Sequence, residues 1–413
     1  MTERGILAAV SAMLVLAGLC CAAAVPTAQD MAKLAEGNNE FAADLYAKLK
    51  TKEGNLFYSP FSISSALAMT WAGARGNTAA EMAKALHFTL PGERLHPALA
   101  GLTDALNARG KAGGYQLAVA NRLWGEVTYN FLPEFLDLNR KHYGAGLEEL
   151  DFIGAAEASR KTINAWVEKQ TQDRIKELLK PGMVKDDTRL VLTNAIYFKG
   201  EWASVFDGKD THNLGFQLRK GDWVEVPTMK QTAEFGYLRG EGFQALEMPY
   251  KGGDLSMVAL LPEAADGLAE FEKKLTAENV AGWLPKLAGG RQQVEVLFPQ
   301  LKITCEYNEM ERTLAAMGIA DAFVYGRADF SGMDGTRELY ISKVVHKAFV
   351  EVNEKGTEAA AATAVIMVFG AAPGRPRHPV FRADHPFVFL IRDNRSGSIL
   401  FVGRVTDPRT AKG

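Results

Sequence analysis

The chain has 413 residues, of which 47% are hydrophobic and 23% are charged, and its formal net charge at pH 7 is -2. A chain of this length can bury a large core, and the near-neutral balance of scattered lysines and arginines gives no footprint of nucleic-acid or membrane binding. No linker rich in Pro, Gly or Ser divides the sequence, so we expect one large domain over residues 30–410.

The N-terminus carries an apolar run at residues 6–24 that follows Arg4 and ends in the small residues Ala22, Ala23 and Ala24. This pattern predicts a cleaved secretory signal peptide over residues 1–24, and therefore a secreted, extracellular or periplasmic protein with no membrane partner after cleavage. An uncleaved membrane anchor is the alternative, because the run is close to the lower limit of a spanning length.

The chain has 3 cysteines, and two of them, Cys20 and Cys21, lie in the apolar run. Leu19 before Cys20 fits a lipoprotein cleavage motif poorly, so lipidation and simple removal both stay open. After cleavage only Cys305 remains, and no intrachain disulfide is possible. Stability must come from packing.

Hydrophobic periodicity outlines the elements in chain order. They are an amphipathic helix carrying Leu34, Phe41, Leu45 and Leu49, a helix after Pro60, a strand at 116–124, a helix at 156–179, strands at 190–198, 245–248 and 255–261, helical segments at 268–275 and 309–317, a strand at 342–352, and a C-terminal hairpin of 386–391 and 398–405. No charge occurs between Tyr58 and Ala74, so the helix after Pro60 is expected to be buried on nearly every side. The strand at 190–198 is apolar on both faces, which is typical of a central strand covered on both sides.

A set of polar residues falls within these apolar segments: Ser59, Ser62, Asn194 and His346. A buried polar group needs a hydrogen-bond partner, and a lone histidine on an apolar strand face is more often a satisfied core residue than a catalytic base. One shared hydrogen-bond network would satisfy all of them.

The sequence contains none of the common motifs of enzyme active sites. His-Glu-x-x-His, paired Cys-x-x-Cys, a phosphate-binding glycine-rich loop and Gly-x-Ser-x-Gly are all missing, and the 7 histidines are dispersed. We therefore expect no catalytic residues, no metal site and no cofactor.

The segment from Glu354 to Phe369 runs from a charged turn through small residues into a β-prone apolar stretch. Residues 370–379, rich in Gly, Pro and Arg, have the composition of an exposed loop. The segment is either a strand without a sheet or an alanine-rich helix, because alanine has the highest helix propensity.

Several long motifs resemble those of the serpins, in the family's order, from about residue 32 to residue 408. They lie at residues 55–63, 187–192, 193–200, 328–333, 346–363, 384–391 and 403–405. The resemblance implies a metastable α+β domain with three β-sheets, about nine helices and an exposed reactive-centre loop. It also implies a suicide substrate: a target serine protease forms a covalent acyl-enzyme with the loop, which then inserts as a new strand into the large sheet.

The resemblance also assigns roles to residues of this chain. The hinge is Glu354, Gly356, Thr357, Ala359, Ala360, Ala361 and Ala362; the shutter beneath the opening sheet is Ser59, Ser62, Asn194 and His346; the breach where insertion begins holds Trp202. Gln300 departs from the family, since many members place there a lysine that pairs with Glu354.

Counting from the hinge in the family's register places the reactive bond at Gly370-Ala371, with Phe369-Gly370 as the alternative. The small residues suit an elastase- or subtilisin-like protease, and Phe369 suits a chymotrypsin-like one. Arg375 and Arg377 lie too far from the hinge for ordinary insertion, so we expect no trypsin-like target.

The resemblance implies a monomer whose partner is the target protease. Arg109 and Lys111 alone are expected to be solvated charges, so no heparin site is evident. The sequon Asn394-Arg395-Ser396 leaves glycosylation open. The alternatives are a cross-class inhibitor of papain-like cysteine proteases and a non-inhibitory carrier or chaperone.

Overall fold

The computed structural model describes residues 25–144, 146–219, 221–357 and 378–409. Its α-helices are α1 (Ala28–Leu49), α2 (Pro60–Trp71), α3 (Gly76–Ala85), α4 (Gly92–Lys111), α5 (Pro133–Tyr143), α6 (Phe152–Gln170), α7 (Leu268–Phe271), α8 (Ala277–Gly289), α9 (Met310–Ala316) and α10 (Ser331–Asp334). Within the described part of the chain, no helix is long and apolar enough to cross a membrane.

The strands separate or follow these helices along the chain. They are β1 (Leu56–Tyr58), β2 (Tyr115–Glu126), β3 (Glu148–Leu150), β4 (Leu190–Glu201), β5 (His212–Arg219), β6 (Asp222–Gly240), β7 (Phe243–Pro249), β8 (Leu255–Pro262), β9 (Arg291–Pro299), β10 (Leu301–Tyr307), β11 (Lys343–Asn353), β12 (Gly356–Thr357), β13 (Val380–Arg382), β14 (Phe387–Asp393) and β15 (Ile399–Val405). The expected α+β class is confirmed.

The strands form a six-stranded sheet in the order β10-β11-β12-β4-β2-β3 and a nine-stranded sheet in the order β1-β15-β14-β8-β7-β6-β9-β13, with β5 paired to β6. Three sheets were expected, and two hydrogen-bonded networks are present among the described strands. The reason is β6, which pairs with β5 and β9 along most of its 19 residues and with β7 at Gly236–Gly240, so that two sheets become continuous.

Helix α2 lies between the two sheets and packs against β2, β4 and β15. Pro60 occupies its first turn, and the Ser59 side chain caps it by accepting a hydrogen bond from the Ser62 amide. All its residues from Pro60 to Thr70 are buried, as the uncharged sequence predicted.

Helix α6 ends at Gln170, whereas periodicity predicted helix to residue 179. The backbone after it is not helical, because Gln172, Asp173 and Glu177 have positive φ angles of 52°, 59° and 48°. The apolar residues of this segment nevertheless join the core beneath α6, so their burial mimicked a longer helix.

Candidate functional site at the seam of the six-stranded sheet

The two central strands of the six-stranded sheet, β4 and β11, are parallel neighbours over only part of their length. Their pairing runs from Val191 opposite Lys343 to Tyr197 opposite Phe349. We call this paired stretch the seam. Beyond it the strands diverge and β12 lies between them, antiparallel to both.

Strand β12 brings two residues of the predicted hinge, Gly356 and Thr357, into the sheet. Thr357 lies opposite Gly200 on one side and Val352 on the other. Gly356 has a φ of 151°, and a Cβ atom there would come within 1.9 Å of the Gly200 carbonyl oxygen. Only glycine fits such a close backbone approach, which accounts for Gly356.

Thr357 is fully buried, and its hydroxyl lies 2.8 Å from the Tyr250 hydroxyl. The Tyr250 ring stacks on Trp202, with centroids 4.7 Å apart and planes 12° apart. Trp202 in turn donates from Nε1 to the Asn353 carbonyl at 3.0 Å and from its backbone amide to the Lys355 carbonyl at 2.8 Å. Trp202 therefore holds the turn that leads into β12, and Tyr250 contacts the Thr357 side chain within β12.

Burial raises the pKa of Tyr250 far above its usual 10, so its phenol stays protonated. Nothing in the sequence pattern singled out this residue, because a tyrosine at the end of an apolar strand is ordinary core composition.

Glu354 precedes β12 and accepts two neutral hydrogen bonds at Oε1. Gln300 donates from Nε2 at 2.7 Å and the Thr211 hydroxyl donates at 2.7 Å. The Glu354 carbonyl accepts from the Phe206 amide at 2.9 Å. The ion pair placed in doubt by Gln300 is thus replaced by amide and hydroxyl donors.

His346 and Asn194 face each other across the middle of the seam. His346 Nε2 accepts a hydrogen bond from the Ser59 amide at 3.1 Å, so Nδ1 carries the proton and donates to Asn194 Oδ1. The ring is fully buried, and this burial lowers the pKa of His346 from 6.5 to about 3. The histidine is therefore neutral, and its side chain links β11 to β4 across the seam rather than carrying a proton.

The other polar residues complete one network. Asn194 Nδ2 donates to the Ser62 hydroxyl at 2.7 Å and to Asn121 Oδ1 at 2.5 Å, and the Ser62 hydroxyl donates to Asn121 Oδ1 at 3.1 Å. The Ser59 hydroxyl donates to the Leu400 carbonyl at 2.6 Å. The structure thus joins Ser59, Ser62, Asn194 and His346, the set chosen from the sequence.

Asn121 was missed by sequence reasoning, although it lies directly opposite Asn194 in the β2–β4 pairing. Its signal was available, because it is a polar amide in the middle of the strand predicted at 116–124. The strand register was needed to connect Asn121 with Ser62, which lies 59 positions before it, and with His346, which lies 225 positions after it.

Some predicted residues lie outside the described part of the chain. These are Ala359, Ala360, Ala361 and Ala362 of the hinge and Phe369, Gly370 and Ala371 around the reactive bond. Among the described residues, no group of three or more His, Cys, Asp or Glu side chains is placed to hold a metal ion.

Arg109 is not the solvated charge that was expected. Its side chain is 13% exposed, and Nη1 lies 2.6 Å from the buried Asp393 carboxylate and 3.6 Å from Asp254. The pairing reflects the fold, because the end of α4 lies beside the turn of the β14–β15 hairpin. In that turn Asn394 Nδ2 donates to the Gly253 carbonyl at 2.9 Å, so the sequon amide is engaged.

The architecture and sequence match proteins of one family. The serpin profile, "Serpin (serine protease inhibitor)", matches residues 36–408. Human leukocyte elastase inhibitor is 47% identical over 386 residues, covering 92% of this chain and all of the relative, and human serpin B3 is 43% identical with the same coverage. The crystal structure of uncleaved ovalbumin has a TM-score of 0.81 at 33% identity, covering 91% of this chain and 100% of that chain.

The predicted secreted, extracellular or periplasmic location is wrong, because the leukocyte elastase inhibitors that this chain resembles are intracellular proteins. Each of them is matched over its whole length by 92% of this chain, so part of this chain has no counterpart in them. The predicted signal peptide at residues 1–24 lies outside the described residues.

Proposed function

This chain belongs to the serpin family of serine protease inhibitors, and we propose that its target is an elastase-like serine endopeptidase. It is not an enzyme but an irreversible inhibitor that the protease attacks as a substrate. The observation that supports inhibition by loop insertion is β12, in which Gly356 and Thr357 already lie between β4 and β11.

The proposed reaction begins at the Gly370-Ala371 bond. The protease serine oxygen attacks the Gly370 carbonyl carbon, an ester forms there, and the C–N bond to Ala371 breaks while its nitrogen takes up a proton. Hydrolysis of that ester would release a cleaved inhibitor. Insertion of the loop before hydrolysis carries the attached protease along the sheet and distorts its active site.

The seam is where the inserting strand is proposed to go. The segment 357–369 is thirteen residues long, about 43 Å at the rise of a β-strand. If insertion adds about a dozen ladder hydrogen bonds, the gain is on the order of 10 kcal/mol, comparable to the stability of an ordinary domain. For this, β4 and β11 must separate along the seam, from Tyr197 back to Val191 of β4. Their separation breaks the contact between His346 and Asn194.

We assign the remaining roles on the same geometry. Ser59, Ser62, Asn194 and His346 act as the shutter, because their network joins β4, β11 and the start of α2. Trp202 is the breach residue, and Ala359–Ala362 complete the hinge, since small side chains enter a sheet without obstruction. The serpin domain spans residues 30–410, which includes the profile match at 36–408.

The target class rests on two features. Several relatives, the human one among them, are named leukocyte elastase inhibitor, and the residues at the proposed bond, Gly370 and Ala371, suit a small binding pocket. Phe369-Gly370 is the alternative bond and favours a chymotrypsin-like protease. The hinge equally permits inhibition of papain-like cysteine proteases, while a carrier or chaperone role is not favoured by a hinge that already enters the sheet.

Incubation with elastase, chymotrypsin, subtilisin and papain tests the proposal. We expect an SDS-stable complex with elastase and a released C-terminal fragment that begins at Ala371, measured by mass spectrometry. A fragment that begins at Gly370 would select the alternative bond. Turnover of the inhibitor by every protease, with no complex, would refute inhibition.

The control variant is Thr357→Arg. Thr357 is fully buried in β12, so an arginine there obstructs the entry of the strand. The variant is expected to be cleaved at the same bond without forming the complex.

A further inference from the structure

We propose that Tyr250 is a positioning residue for inhibition: its hydroxyl holds Thr357 between β4 and β11 as the preformed start of the inserting strand. The inference rests on the proposed function, since it concerns the rate at which the loop enters the sheet. It adds a residue that neither the motifs nor the predicted breach and hinge contained.

The Tyr250 ring cannot move independently of β4. Besides its stacking on Trp202, it meets Phe198 edge to face at a centroid distance of 5.0 Å. A Cβ atom on Gly200 would lie 2.7 Å from Tyr250 Cδ1, so the ring occupies the space that a side chain there would take. The side chain is fully buried, and the Tyr250 backbone is held as well, because its amide donates to the Leu255 carbonyl at 2.9 Å.

This rigid ring aims its hydroxyl at one atom of the hinge. The Thr357 hydroxyl lies 2.8 Å from it, and both groups are buried. A buried hydroxyl without a partner is costly, so the contact favours the conformation in which Thr357 is paired with Gly200 and Val352. Trp202 acts on the backbone of the preceding turn, whereas Tyr250 acts on the side chain that enters the sheet.

A preformed first pair matters because insertion competes with hydrolysis of the acyl-enzyme. Bringing a free segment into register costs conformational entropy before any later pair forms. With Gly356 and Thr357 already in place, each later residue adds next to an existing pair. Losing the anchor therefore slows insertion and sends a larger share of inhibitor to the cleaved product.

The experiment compares wild type, Tyr250→Phe, Thr357→Val and the double variant in titrations against elastase. The measured quantity is the ratio of cleaved inhibitor to covalent complex. We expect each single variant to raise it roughly fivefold, the factor expected from one net hydrogen bond, and the double variant to raise it no further, because both changes remove the same contact. The rate of acylation should not change.

The matched control is Tyr58→Phe. Tyr58 is also fully buried, and its hydroxyl donates to the Ala42 carbonyl at 2.8 Å, away from β12. It should lower the melting temperature and leave the ratio unchanged, which separates positioning from general stability.

Hydrogen–deuterium exchange of residues 354–357 gives a second readout that does not require inhibition. Faster exchange in Tyr250→Phe but not in Tyr58→Phe supports the anchor, and equal exchange in both overturns it. An unchanged ratio in Tyr250→Phe, or additive effects in the double variant, also overturns the inference while leaving the proposed function intact. If wild type forms no complex with any protease, the proposed function fails, and exchange alone decides whether Tyr250 anchors the hinge.

Discussion

Acidification should lower the free energy of unfolding of this protein through His346, the buried neutral histidine that links β11 to β4 across the seam. The imidazole accepts from the Ser59 amide at Nε2 and donates to Asn194 at Nδ1, so a second proton has no acceptor and breaks the Ser59 contact. Burial lowers its pKa to about 3 from the 6.5 of an exposed histidine. The unfolded chain therefore binds more protons than the folded one between these values, and stability falls as the pH drops below 6.5.

The magnitude follows from that difference. Each pH unit below 6.5 costs about 1.4 kcal/mol while the folded histidine stays neutral, which gives about 2 kcal/mol at pH 5. His96, whose pKa burial lowers to about 4, adds a loss of similar size and the same sign. We therefore expect the free energy of unfolding to fall by about 4 kcal/mol from these two groups between pH 8 and pH 5.

Denaturant unfolding of wild type and His346→Gln from pH 8 to pH 5 measures the effect. This window lies above the usual range of carboxylates, so the histidines dominate. The variant starts at lower stability because it disturbs the network, but its loss of unfolding free energy between pH 8 and pH 5 should be about 2 kcal/mol smaller than that of wild type. Equal losses in the two proteins would refute the role assigned to His346.

Three further outcomes are expected. Gln300→Lys places a charge beside Glu354 Oε1, now 2.7 Å from the Gln300 amide, and should raise the free energy of unfolding in urea by about 1 kcal/mol; no gain would contradict the local geometry. Arg109→Met removes the arginine that pairs with the buried Asp393 carboxylate and should cost about 2 kcal/mol in the same assay, against less than about 0.5 kcal/mol for the exposed control Lys111→Met. Cleavage within residues 368–372 should raise the melting temperature sharply, and an unchanged value would contradict strand insertion.

The sequence alone predicted the structure wherever the local hydrophobic pattern agrees with the burial of the residues. The uncharged stretch around α2 predicted its complete burial, and apolar residues on both faces marked β4 as a central strand. The polar residues left inside these segments, Ser59, Ser62, Asn194 and His346, had to find partners, and a shared network was the economical solution. The hinge was predicted from the resemblance to the serpins, and of its residues only Glu354, Gly356 and Thr357 lie in the described part of the chain.

Sequence pattern failed where conformation depends on single backbone angles. Burial of the apolar residues after Gln170 imitates helical periodicity, while positive φ angles at Gln172 and Asp173 end the helix. Arg109 was misjudged because its partner, Asp393, lies 284 positions away on another element. Charge alone cannot distinguish a solvated arginine from a paired one.

The sequence determined the family, the central position of β4 and the four polar residues of the buried network, because periodicity, composition and motifs are properties of short segments. Only the tertiary structure decided that Gly356 and Thr357 lie between β4 and β11, that Asn121 joins the network, and that Tyr250 meets Thr357 across 107 positions of chain. These contacts depend on strand register and on the close approach of separate elements, which no local pattern encodes.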